Sequence, residues 1–255
     1  MDNLEKVRLF DLGNVAVSLK KSSEFKLLVN KIRQFQDISS IENDLRYARD
    51  DLNLCIDFGC LEPLDFVKPQ NARDARLISS LFVQSLVYYT RSTKSKSYHR
   101  GFAPITKNWS PELLLIHSDV VKIRDDIFAH FGPGTDHVSG FWSREALVLC
   151  LFQSGVVQVS TPFVRSNYRE WAISNLSQLI DRAYSDCLQI KHQRLESLMN
   201  QILLHQSDVK FTNALTASNF VPESFFVTIA AAQAFYKNLG GESPITTSLH
   251  PAGSQ

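Results

Sequence analysis

The sequence predicts a mainly α-helical bundle carrying one small β-hairpin, and three observations predict it. Ten Gly and nine Pro in 255 residues are too few for a turn-rich β-sandwich. Apolar residues recur at three- and four-residue steps through most of the chain, the period of an amphipathic helix. One region, 146–164, breaks that period: two apolar runs, the second rich in Val, meet at Ser154 and Gly155. It reads as a hairpin or as a helix interior broken at Gly155, with the hairpin favoured.

In chain order, residues 6–18 are mixed and fit a short helix or a strand. From Ser22 to about Gln36, the positions of Phe25, Leu28, Ile32 and Phe35 predict a helix. Ser39 and Ser40, followed by Glu42, read as the capped start of a second helix through about Leu54. A Gly- and Pro-marked connection from Gly59 to about Asn71 follows. Asp74 to about Thr93 predicts a strong helix with Leu77, Leu81, Ser85 and Tyr88 on one face. Residues 94–109 read as a polar loop. Ser110 as cap and Pro111 at the first helical position open a helix expected to run to about Phe131, where Gly132, Pro133 and Gly134 stop it. Asn167 to about His205 is the longest helical pattern, and Pro222 starts a last helix to about Leu239. Residues 1–239 are expected to form a single helical domain, and 240–255 a flexible tail.

Composition narrows the function classes. A net charge of +1 implies no partner by itself, and 44% hydrophobic with 21% charged residues is ordinary for a globular protein. The four cysteines show no Cys-x-x-Cys spacing, so neither a zinc site nor a disulfide framework is expected. His130, Asp136 and His137 lack the helical spacing of a metal site. No metal and no cofactor is therefore expected. The first residues lack the apolar core of a signal peptide, and no apolar run is long enough for a membrane span. These features predict a cytoplasmic protein without a membrane partner.

Chemistry concentrates in 122–131. Ile116, Val120, Ile123, Ile127 and His130 form one stripe of the predicted helix, with Arg124 on its shoulder. Arg grips phosphate in two places and keeps its charge, while His titrates near neutrality. That pair suits phosphodiester chemistry without a metal: a base takes the ribose 2′-OH proton, an acid protonates the leaving 5′-oxygen, and Arg124 steadies the phosphate charge. Asp125 or Asp126 would orient Arg124 or His130. Arg124 and His130 are about 9 Å and roughly 120° apart on one helix, so a symmetric dimer interface would assemble them best. An Arg four to six residues before a His arises about once by chance in such a chain. The weight therefore rests on the Asp directly after Arg124, Ala129 before His130, and a helix closed by Gly132.

The residues Arg124, Asp125, Asp126, Ile127, Phe128, Ala129 and His130 resemble the signature of the HEPN superfamily: Arg, a polar residue, a short gap, then His, commonly preceded by Ala. The resemblance implies a bundle of four or five helices, often dimeric, with the motif on a late helix. Many members are metal-independent ribonucleases of toxin–antitoxin, abortive-infection or other defence systems. By that likeness Arg124, Asp125 and His130 are the catalytic candidates, and an antitoxin or regulatory protein is an expected partner. The likeness covers seven residues and a compatible helix order. The chain is long for the minimal domain, the hairpin is an addition to it, and some members lack nuclease activity.

A basic stretch precedes the motif. No acidic residue lies between Asp74 and Glu112. Arg91, Lys94, Lys96, Arg100 and Lys107 could neutralise phosphates, and Tyr98 could stack on an unpaired base. RNA is thus the expected partner. A non-catalytic helical binding or regulatory module, using the same charged cluster and the 91–107 loop for RNA or protein contact, is the alternative.

Overall fold

A computed structural model describes residues 8–58, 69–94, 100–125, 135–136, 140–141, 143–154, 157–165 and 169–239. Among the described residues the helices are α1 (Leu12–Leu19), α2 (Lys26–Asp57), α3 (Pro69–Thr93), α4 (Pro111–Lys122), α5 (Glu170–His205), α6 (Val209–Ala217), α7 (Pro222–Phe225) and α8 (Ile229–Leu239). The strands described between α4 and α5 are short: β1 (Thr135–Asp136), β2 (Gly140–Phe141), β3 (Ser143–Glu145), β4 (Val148–Leu151), β5 (Val157–Ser160) and β6 (Phe163–Arg165). The fold is mainly helical with small antiparallel pairs. Among the described residues, no helix is long and apolar enough to cross a membrane. The chain divides into two compact units, one of 1–36 with 191–255 and the other of 37–190.

In the first unit residues 9–11 and 218–220 join through backbone bonds. Asp11 N–H donates to the Ser218 carbonyl at 2.8 Å, and Phe220 N–H to the Leu9 carbonyl at 2.9 Å. Asp11 also caps α1, its Oδ1 accepting from Gly13 N–H at 2.7 Å. Val15, Leu19, Phe25, Leu28, Ile32, Leu198 and Phe211 form the core. The helix α6, in a stretch where the sequence reading placed no element, is started by Asp208, whose Oδ1 accepts from the Lys210 and Phe211 amides. The helix expected from Pro222 to Leu239 is interrupted. Phe226 takes an extended backbone (φ −85°, ψ 139°), and Thr228 Oγ1 accepts from Ala231 N–H at 3.2 Å to restart the chain as α8.

In the second unit Ile38, Ile41, Leu45, Ala48, Leu52 and Cys55 make a fully buried three-four seam on α2. That seam explains why the expected break at Ser39 is absent. The apolar spacing runs unbroken from Leu28 to Cys55, and its burial outweighs the few tenths of a kcal/mol of helix propensity lost at each serine. Ser85 Oγ donates to the Ala48 carbonyl at 2.7 Å, tying α3 to α2. The buried face of α3 is Ile78, Phe82, Ser85, Leu86 and Tyr89, one residue-step round from the expected face; Leu77 is exposed. Cys187 Sγ lies 3.8 Å from the Ile38 carbonyl, where α5 meets α2 and buries Ala172, Leu176, Leu179 and Ala183.

The 146–164 region is a hairpin. β4 pairs antiparallel with β5 in the register Leu149–Val159 and Leu151–Val157, and β3 continues it against β6. α4 opens as expected, Ser110 Oγ accepting from Leu113 N–H at 3.3 Å. It ends at Lys122 and continues as a π turn over 123–125. The rest of the expected helix to Phe131, and the expected tail at 240–255, lie outside the described residues.

Candidate functional site

Two carboxylates in the second unit collect three cations of the acid-free stretch, Arg91, Lys94 and Arg100. The first is Asp44, on α2. Arg91 Nε donates to its Oδ2 at 2.8 Å while Arg91 Nη2 bonds Oδ1, and Arg100 Nη1 donates to Oδ2 at 2.5 Å. Arg100 Nη2 also donates to the Arg91 carbonyl at 2.5 Å. The carboxylate holds the Arg91 guanidinium even more firmly in its charged form. Gly101, next to Arg100, also lies close against α2: a Cβ there would stand 2.5 Å from Asp37 Oδ2, two turns before Asp44 on the same helix.

The second carboxylate is Asp125, in the π turn after α4. Arg124 Nη1 donates to its Oδ1 at 2.8 Å, and Lys94 Nζ bonds its Oδ2. Neighbouring side chains on an ideal helix diverge by about 100°. The long guanidinium folds back and closes that angle. Lys94 first, then Arg124, pull the Asp125 carboxyl below the ordinary carboxylate range. Arg124 and Lys94 remain about half exposed, with side-chain exposures of 44% and 54%.

A histidine passed over by the sequence reading lies close by. His117 sits two turns before Arg124 on α4, and its Nδ1 is 2.6 Å from the hydroxyl of the buried Tyr89. The Trp109 ring meets it edge-on at 5.6 Å, and Trp109 Nε1 donates to Asp186 Oδ2 at 2.7 Å. Burial, and then the charge of Lys94, lower the His117 pKa, so the neutral imidazole is favoured. Burial likewise pushes the Tyr89 phenol up, which keeps its proton on oxygen. The only sequence signal for His117 was its place in the half-apolar run of α4.

The structure thus brings together Arg124, Asp125 and Lys94, and separately Arg91 with Arg100. Lys107 is exposed in a 3-10 turn at Ile105–Asn108. Tyr98, Lys96 and His130 lie outside the described residues. Among the described residues, no group of three His, Cys, Asp or Glu side chains is arranged to hold a metal ion. No protein-family model, no curated protein and no solved structure matches the chain.

Proposed function

We propose that the chain is a metal-independent endoribonuclease of a defence or toxin–antitoxin type, built on a HEPN-like bundle. The observation that carries this reading is the exposed Arg124 guanidinium, oriented by Asp125 beside Lys94 at the end of α4. An oriented guanidinium with one ammonium beside it can receive a phosphodiester and stabilise the charge that develops on it. A base takes the 2′-OH proton, the 2′-oxygen attacks phosphorus, and the P–O5′ bond breaks as an acid protonates the 5′-oxygen. The products are a 2′,3′-cyclic phosphate and a 5′-hydroxyl. His130, six residues after Arg124, is assigned as base or acid on the sequence motif alone. The spacing of Arg124 and His130 favours a homodimer in which two protomers complete one site. A cytoplasmic antitoxin or regulatory protein would restrain such an activity.

The test is incubation of end-labelled single-stranded RNA in excess EDTA with wild type, His130→Ala and Arg124→Ala. Cyclic-phosphate ends from wild type only support the reading. A folded wild type that cleaves none of several RNAs, tested as a dimer, counts against it.

A second reading has its own observation. Both oxygens of Asp125 are already bonded to cations, as are those of Asp44. Such closed clusters serve a non-catalytic binding or regulatory module equally well. RNA binding without cleavage, indifferent to His130→Ala, would favour it.

A further inference from the structure

The first unit carries a basic groove of about 810 Å³, the size of a small-ligand pocket, between the end of α1 and the first two turns of α2. Lys20 and Lys21 line it from the turn after α1, and Lys26 and Arg33 from α2. All four are exposed, and none forms an ion pair among the described residues. Glu24 is the one acid in the lining, and it is occupied: Lys210 Nζ donates to its Oε1 at 2.6 Å and Ser22 Oγ at 3.0 Å. The groove therefore presents four uncompensated cations.

We infer that this groove binds the phosphate backbone of a single-stranded nucleic acid. Lys26, Asn30 and Arg33 are spaced i, i+4, i+7 on one face of α2, a row about 10 Å long. That row suits successive phosphates of a flexible strand better than one compact anion. Among the described residues the lining holds no aromatic ring, and Leu27 and Val29 are its only apolar side chains. A mononucleotide would find nothing to stack on, whereas backbone contacts need no stacking and carry no sequence preference. A flat lipid surface would engage a convex basic face with exposed apolar anchors more readily than a recess. The inference stands independently of cleavage at Arg124, which lies in the other unit.

The experiment is fluorescence anisotropy of a labelled 12-nucleotide 2′-O-methyl RNA across a salt series, with the full chain. This RNA cannot be cut by 2′-oxygen attack, so binding is read apart from cleavage. Each lost phosphate contact flattens the slope of log affinity against log salt by about 0.7, so Lys26→Ala with Arg33→Ala is expected to flatten it by about 1.4 and weaken binding roughly tenfold. Glu24→Gln, which removes the one acid and releases Lys210, is expected to tighten binding. An unchanged affinity and slope in the double variant, with its melting temperature preserved, would overturn the inference. So would retention by anionic vesicles without RNA binding. Absence of cleavage by the wild type, with intact groove binding, would remove the nuclease reading alone.

Discussion

Asp44 and Asp125 are the same chemical group with the same company, one carboxylate between two cations, yet they differ in burial. The Asp44 side chain is 7% exposed and Arg100 10%. Asp125 is 28% exposed and its partners 44% and 54%. Removing one partner from a buried cluster strands charge in a poor solvent, while an exposed cluster exchanges its partners for water. The first is therefore a fastener that secures the loop after α3 to α2. The second is open to solvent and can exchange its partners for water or, under the proposed function, for an incoming phosphate.

The largest expected effect breaks the fastener. Asp44→Ala leaves Arg100 buried without its carboxylate and should cost about 3–5 kcal/mol in urea unfolding. Arg91→Ala should cost far less, because Arg91 is half exposed and Arg100 keeps Asp44 paired. Equal losses from the two variants would show that burial does not set the difference. Next in size is Arg124→Ala. If the exposed cluster holds the phosphate, cleavage should fall by about 10²–10³-fold, the usual loss for one donor to a developing oxyanion, while unfolding is little changed.

The helical character was legible because burial on α2 and α5 follows strict three- and four-residue steps. The break expected at Ser39 shows the limit of local signals, since a capping sequence cannot compete with a core seam that passes straight through it. The face of α3 was read one step off because Leu77 is apolar yet exposed; Ser85, placed on that face, is buried, its hydroxyl satisfied by a carbonyl of another helix. α6 was missed because its cap, Asp208, precedes Thr and Asn residues of low helix propensity. In the site, Arg124 and Asp125 were legible as neighbours. The acids facing Arg91 and Lys94 were not, because Asp44 lies 47 residues from Arg91 and Asp125 lies 31 from Lys94. The four cations of the basic groove were all visible in the sequence, but α1 and the start of α2 had to be placed before they formed one lining.

His117 sharpens the comparison by reporting on the exposed cluster. Its pKa is lowered by burial and then by Lys94. A folded state that resists protonation binds fewer protons than the unfolded chain, so stability rises with pH through the window below the ordinary value near 6.5. Lys94→Met removes the second cause and leaves the first. The His117 pKa, followed by NMR titration of the ring protons, should therefore rise in that variant yet stay below the ordinary value. No change would mean that Lys94 is too mobile to be felt at His117. Tyr89→Phe tests the remaining contact by removing the hydroxyl 2.6 Å from Nδ1, which should shift the imidazole tautomer balance seen in the same spectra.

The smallest effect is the most discriminating. Asp125→Asn removes an exposed carboxylate, and exposed pairs contribute only about 0–1 kcal/mol, so unfolding at pH 7 should change by less than that. The sign with pH is fixed by the depressed carboxyl. A folded acid that holds its proton less tightly than the unfolded one stabilises the protein above the ordinary carboxylate range. That contribution disappears as pH falls through the folded value. Wild type and Asp125→Asn should thus converge in acid. They should also converge at neutral pH in 1 M salt, where the screening length drops to about 3 Å. Asp44→Ala should keep most of its cost in that salt, because ions do not reach a carboxylate beneath two guanidinium groups. If salt erased both differences equally, the Asp44 cluster would be as open to solvent as the Asp125 cluster, and the division between buried fastener and exposed cluster would fail.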